Sequence, residues 1–213
     1  MNFIPSYPTL LAFAAACVLL AATPGPDMTL SISRALRDGK LAGLAVIAGT
    51  NVGLVVHTCL VAFGVSALIV ASPLAFMILK TGGAGYLAWL AFQAIRKGSD
   101  FVIADLSAPR ENLASAAFNG FWVNLLNPKI IIFFMTFLPQ FVEAGDPHVT
   151  GKLLFLGLMF IVVSLPIVIG IVLIADKLSA WLLANKKVLR GIDYTFAGVF
   201  SIFAVKILMT HSR

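Results

Sequence analysis

The sequence predicts an all-α integral membrane protein of six transmembrane helices, arranged as two inverted three-helix repeats with broken first and fourth helices. Three observations carry that prediction. Of the 213 residues, 60% are hydrophobic and only 11% charged, and the mean hydropathy is +1.01. A soluble domain carries about 25% charged residues, so lipid must solvate much of this surface. The apolar residues fall into six runs near the ~20 residues that cross a bilayer, separated by charged connectors. The first and fourth runs are each interrupted by proline at corresponding places, and three spans per repeat, an odd number, require the halves to be inverted.

The first span runs from Thr9 to Ser33 and contains Thr23-Pro24-Gly25-Pro26-Asp27. The opening Met1-Asn2-Phe3-Ile4-Pro5 has no Lys or Arg, so the span lacks the basic flank of a cleaved signal peptide and is expected to be retained. A connector follows from Arg34 to Lys40. The second span runs from Leu41 to Val70 and turns at Ser72-Pro73; the third runs from Leu74 to Ile95. Arg96 to Leu113 is the longest polar stretch and reads as the linker between halves. The fourth span, Ala114 to Leu138, is interrupted at Asn127-Pro128, and a polar turn runs from Glu143 to His148. The fifth span is Thr150 to Ala175, Asp176 to Arg190 is a basic connector, and the sixth span is Gly191 to Met209. The whole is expected to be one membrane domain, with a first repeat over residues 1–97, a cytoplasmic linker over 98–113 and a second repeat over 114–213.

Six spans place both termini on one side. The connectors on one face carry Arg34, Arg37, Lys40, Arg96, Lys97, Arg110, Lys177, Lys186, Lys187 and Arg190, against Lys152 and Arg213 on the other. Positive charge marks the cytoplasmic face, so both termini are expected outside the cytoplasm. The repeat itself is faint. A shift of 108 residues superposes Gly43 on Gly151, Gly49 on Gly157, Gly83 on Gly191 and Tyr86 on Tyr194; a short gap then lets the first and fourth spans match and sets Pro26-Asp27 beside Pro128-Lys129.

The candidate site is at the two breaks. At 1.5 Å per residue, Pro24 lies about 22 Å along its span and Pro128 about 21 Å along its own, from opposite faces, so the breaks are expected to meet near the bilayer centre. Each new half-helix starts with unpaired N–H groups and a positive dipole end, a seat for a carboxylate. Asn127-Pro128 reads as an N-cap and first helical residue, and Gly25-Pro26 permits the same reading; a structural kink is the alternative at either proline. Asp27 is read as a group that binds a substrate ammonium or exchanges a proton, or else as a helix cap. Lys129 is read as attracting a substrate carboxylate, so that the carboxylate after one break faces a lysine after the other. Lys80 is a second cationic candidate, with snorkelling to the interface as its alternative. Asn51, Asn124 and Asn127 are polar candidates that also suit interhelical hydrogen bonds. His57 is a candidate proton carrier, or a structural donor; helix rise puts it at the opposite depth from Asp27, so the two are not paired.

Other classes are less well served. The basic balance, +6 at neutral pH, reads as an orientation signal, since no basic run interleaved with aromatics points to nucleic acid. Cys17 and Cys59 sit in apolar runs as small hydrophobes. Gly39-x-x-x-Gly43 and Gly49-x-x-x-Gly53 suit close helix packing, and Gly82-Gly83-Ala84-Gly85 lacks the context of a phosphate loop. A metal-ion or other small-solute exporter of the same fold is the rival reading, although its acids and thiols are scattered in depth. An intramembrane enzyme is a further rival, without a His-Glu-x-x-His or Gly-x-Ser-x-Gly motif. No cofactor and no metal site is expected; a homo-oligomer is left open.

Thr23-Pro24-Gly25-Pro26, the glycine-rich second span ending near His57, and Lys80 with Gly83-Ala84-Gly85-Tyr86-Leu87 resemble the LysE/RhtB amino-acid exporters. So does Gly120 through Asn124-Leu125-Leu126-Asn127-Pro128-Lys129 to Leu138-Pro139-Gln140-Phe141. The resemblance runs nearly end to end. It implies a bacterial inner-membrane secondary transporter that exports amino acids or close derivatives, with protons as the coupling partner. Under that reading Pro24, Gly25, Pro26, Asn51, Lys80, Asn124, Asn127, Pro128 and Lys129 bind substrate, with its carboxylate near Asn127 to Lys129 and its ammonium near the carbonyls freed at Pro24 to Pro26. Asp27 or His57 carries the proton.

Overall fold

The computed structural model describes residues 5–96, 111–142 and 146–210. The expected linker up to residue 110 and Glu143 to Gly145 of the expected polar turn lie outside the described residues. Among the described residues every regular element is helical.

Helix α1 (Tyr7–Ala22) ends where Pro24 forces its predecessor out of the helical region: Thr23 takes φ −79° and ψ 120°. The Thr23 N–H still reaches the Leu19 and Leu20 carbonyls, and its hydroxyl donates to the Leu19 carbonyl at 2.6 Å. Gly25 caps α2 (Pro26–Asp38), with Pro26 in the first position, where a missing N–H costs nothing. The two helices bend by 50° at this break. Helix α2 stops at Gly39, whose φ of +96° is the left-handed conformation that side chains rarely adopt.

Helices α3 (Lys40–Ala71) and α4 (Pro73–Arg96) follow, divided at Ser72, the residue before a proline. The Arg190 guanidinium donates to the Ala94 and Ile95 carbonyls, serving orphan acceptors at the end of α4. Asn112 caps α5 (Leu113–Leu125), its side chain accepting from the Ser115 N–H at 2.7 Å. Asn112→Ala is expected to cost about 1 kcal/mol and to lower the Tm in detergent by about 2–4 °C; an unchanged Tm would remove the cap from the list of stabilising contacts.

The second break repeats the chemistry of the first. Asn127 caps α6 (Pro128–Ile132) and accepts from the Lys129 N–H at 3.0 Å, with Pro128 in the first position. The helix widens into a π turn over Phe133–Phe137 and tightens into a 3₁₀ turn over Leu138–Phe141. Pro139 explains both, because it lacks an N–H and its ring clashes with the carbonyl four residues back. This segment bends by 52° from α5. Helices α7 (Val149–Leu173), α8 (Ala175–Ala184) and α9 (Lys186–Thr210) complete the chain. Ahead of α7, the Lys152 ammonium and the His148 N–H on Asp146 hold its carboxyl below the usual carboxylate range.

Two expected connectors are corrected. Arg34 to Asp38 continues α2 as helix, and Asp176 to Arg190 is helical apart from Asn185, forming most of α8 and the first turn of α9. Charge set these residues apart from the apolar spans, yet they keep helical backbone bonds. Gly39 is corrected too: it ends a helix and meets no neighbour, while a Cβ on Gly43 would come within 2.8 Å of Ala35 and Val172.

Helices α3 and α7 are long and apolar enough to cross a membrane, and the two bent pairs bring the number of such spans among the described residues to four. Helix α3 is central, packing along α5, α7 and α2, while α4 lies along α9. The closest approach is between α3 and α5. A Cβ on Gly49 would stand 1.8 Å from the Ala117 carbonyl oxygen, and one on Gly120 would stand 2.3 Å from that of Val46. A second region of the core is aromatic: Phe133, Phe134 and Phe137 of the π turn are fully buried and meet Phe13 of α1, Phe160 of α7 and Phe200 of α9.

Candidate functional site

The two breaks meet. Asp27, in the first turn of α2, accepts from the Asn124 amide at 2.7 Å and from the Asn127 amide at 3.1 Å. Lys129, just past the second break, donates to the Thr23 carbonyl at 3.3 Å, one of the acceptors freed by the first. Three hydrogen bonds of two chemical kinds therefore bridge positions about a hundred residues apart in sequence.

These groups line one cavity of about 80 Å³, walled by α2, α3, α5 and α7 and by the breaks themselves. That is room for several waters or a small polar solute. Its charged groups are Asp27 and Lys129; hydroxyls come from Ser31, Thr50 and Ser164, and apolar surface from residues such as Leu20, Ile47 and Ile130. Asn51 donates to the Ile47 carbonyl at 2.7 Å, yet its amide oxygen has no protein partner, and neither has that of Asn124, a residue only 1% exposed. A buried acceptor without a partner costs about 1–3 kcal/mol, and a bound donor would remove that cost.

Of the sequence-derived candidates, Gly25, Asp27, Asn51, Asn124, Asn127 and Lys129 line the cavity, with Pro24, Pro26 and Pro128 shaping the breaks. Lys80 sits on α4, and its side chain lies outside the described residues. Asp27 and Lys129 face the same cavity, with both Asp27 oxygens on amides and the Lys129 ammonium on Thr23, 5.4 Å from the centre of the Phe196 ring. One expectation is corrected. His57 is not remote from Asp27. Its Nε2 stands 3.4 Å from the Asn124 carbonyl oxygen, whose own side chain holds Asp27. Depth counted along a straight helix misplaced Asp27, because the 50° bend turns α2 away from the line of α1.

Sequence reasoning missed Asp193 of α9, 2% exposed and within the electrostatic reach of Lys129. The signal was present, since an acid three residues into an apolar run is the same anomaly that singled out Asp27. Among the described residues, no three His, Cys, Asp or Glu side chains converge as a metal-binding group.

Apolar helices of membrane-spanning length, broken twice around a polar and charged cavity, define a multi-pass membrane protein with an internal cavity. The chain belongs to the LysE type translocator family, whose model matches residues 18–211. It is therefore a membrane transporter rather than an enzyme. It is 31% identical over 191 residues to a homoserine/homoserine lactone efflux protein of Salmonella typhimurium, covering 90% of this chain and 91% of that one. It is 23% identical to a leucine efflux protein of Klebsiella pneumoniae over 95% of both chains. A cysteine/O-acetylserine efflux protein of the same organism is 31% identical over 63% of this chain and 66% of its own. No solved structure matches the chain.

Proposed function

We propose that the protein exports amino acids or close derivatives from the cytoplasm across the bacterial inner membrane in exchange for protons. The observation that carries this reading is the pair of opposite charges on one cavity wall, Asp27 after the first break and Lys129 after the second. An amino-acid zwitterion presents the complementary pair, and in a low-dielectric wall such complementarity is strong. The substrate ammonium lies against Asp27 and the carbonyls at Pro24 to Pro26, with the open oxygens of Asn51 and Asn124 as further acceptors. Its carboxylate lies toward Lys129 and the half-helix start capped by Asn127. Asp27 or His57 carries the proton. The efflux activities named for the relatives support the substrate class.

In this proposal α4 and α9 also cross the membrane, giving six spans in one domain as two inverted repeats, over residues 1–97 and 114–213, with a cytoplasmic linker and periplasmic termini. The nearly equal bends of 50° and 52° and the matched proline-first half-helices support it. So does the packing: α3 lies along α5 and α7 along α1, while α3 with α7 and α4 with α9 pair across the halves.

Export from cells fed a dipeptide tests the site. Lys129→Ala removes a buried charge, and export is expected to fall by about tenfold or more; Pro26→Ala, which removes the fixed first residue of α2 and loosens the break, is expected to impair export as well. Normal export by both variants at parental membrane levels would refute the site. An untargeted comparison of amino acids released with and without the protein identifies the substrate.

A further inference from the structure

A second set of charges lies away from the cavity, where the last turn of α2 meets the head of α5. Arg34 reaches Asp38 at 3.2 Å, and Arg37 reaches the same carboxylate at 2.9 Å. Arg34 also pairs with Glu111, and Arg37 stands 3.9 Å from it. The other Glu111 oxygen accepts from Ser115 and Asn119, both at 2.9 Å, so the acid is fixed to α5 on one side and gripped by α2 on the other. The Arg34 and Asp38 side chains are only 8% and 3% exposed. The two arginines and two acids sum to no net charge, and the cavity uses none of them.

Helix α2 is bounded at both ends by places where the chain can pivot. Pro24-Gly25-Pro26 interrupts the backbone ladder before it, and Gly39 follows it at φ +96° with open space where a side chain would be. Helices α2 and α5 run antiparallel, at thirteen residues each. They are tied at one end by Asp27 on Asn124 and Asn127, and at the other by Arg34 and Arg37 on Glu111. Between those ties α2 packs chiefly on α3.

We propose that α2 is a rigid arm hinged at both ends, and that the Arg34–Arg37–Asp38–Glu111 cluster is the latch that holds it on α5 and keeps the cavity closed on the cytoplasmic side. The inference rests on the transporter reading and its proposed orientation but not on the identity of the substrate. The cluster is mostly buried, with Glu111 at its edge 33% exposed, and it suits a latch because breaking it leaves the buried arginines short of a partner. It therefore favours two states, joined or fully hydrated, over a continuum. Because α2 carries Asp27 at its first turn and the latch at its last, a solute or proton that displaces Asn124 and Asn127 from Asp27 loosens one tie and leaves the arm held by the other.

The test is accessibility. Ser164, which lines the cavity from α7 and takes no part in the latch, is changed to Ser164→Cys in a protein carrying Cys17→Ala and Cys59→Ala. Its labelling by a membrane-impermeant maleimide is then timed in inverted and in right-side-out vesicles. Glu111→Gln leaves the cluster with an uncompensated positive charge and is expected to speed labelling about tenfold from the cytoplasmic face alone. Glu111→Asp, which keeps the charge, is expected to return the rate toward that of the parent. An unchanged rate, or a rise not confined to the cytoplasmic face, overturns the proposal. Labelling needs no substrate, so an error in the proposed substrate class would leave this result standing.

Discussion

Asp27→Asn is expected to lower export by more than about a hundredfold while the protein still reaches the membrane. Asp27 accepts two amide hydrogen bonds, at 2.7 and 3.1 Å, inside the cavity. Hydrogen bonds to a charged group contribute about 1.5–3 kcal/mol each. An asparagine turns an N–H toward one of the two donating amides, so that amide must flip its oxygen inward or a buried donor is left unsatisfied. The substitution also removes the negative pole proposed for the substrate ammonium, and with it one of the two candidate proton carriers. The measurement is uptake of a radiolabelled substrate amino acid into inverted vesicles under an imposed pH gradient, with His57→Gln as the companion. If Asp27→Asn exchanges amino acid at full rate but no longer responds to the gradient, Asp27 is the proton carrier rather than the binding residue. If His57→Gln alone loses the response, that role belongs to His57. Wild-type transport and coupling in the Asp27→Asn protein would remove Asp27 from the site.

Gly49→Leu is the substitution expected to damage the fold most. Even a methyl group at Gly49 would meet the Ala117 carbonyl oxygen at 1.8 Å and the Phe121 nitrogen at 2.8 Å, and these are backbone atoms that no rotamer change can move aside. Helices α3 and α5 must separate, taking with them the reciprocal contact of Gly120 on Val46 and that of Gly53 on Asn124. Forced overpacking costs about 1–3 kcal/mol and occasionally more, and this case is at the upper end because both walls are backbone. Against a total stability of about 5–15 kcal/mol, folded protein in detergent extracts is expected to fall severalfold. Gly64→Ala is the control. Gly64 lies on the same helix with nothing near the added methyl, and alanine is the better helix former by up to about 1 kcal/mol. Its thermal stability is expected to hold or rise. Equal accumulation of Gly49→Leu and the parent would contradict the backbone contact between α3 and α5.

Both breaks were legible in the sequence because their chemistry is local. Proline at the first helical position, with Gly25 or Asn127 before it, acts through neighbouring backbone atoms, and both caps stand where that chemistry puts them. Apolar run length likewise located the helical cores, and an acid or a lysine beside a break marked Asp27 and Lys129. Helix ends defined by charge were less legible. Arg34, Arg37 and Asp38 read as part of a connector, because nothing in their neighbourhood reveals Glu111 more than seventy positions away.

What the chain determined by itself was its helical, membrane-embedded class, the places where two helices break, and the residue types at those breaks. Which groups touch across the breaks was decided only by tertiary structure. Asp27 takes the two asparagines and not the lysine, Lys129 turns to the Thr23 carbonyl, and His57 stands at Asn124. The physical reason is that hydrogen-bond partners are selected within a few tenths of an ångström, whereas rise per residue places a group only along its own axis. The separation and rotation between axes come from contacts such as Gly49 on Ala117 and from bends of about 50°, and both require the partner helix to be present.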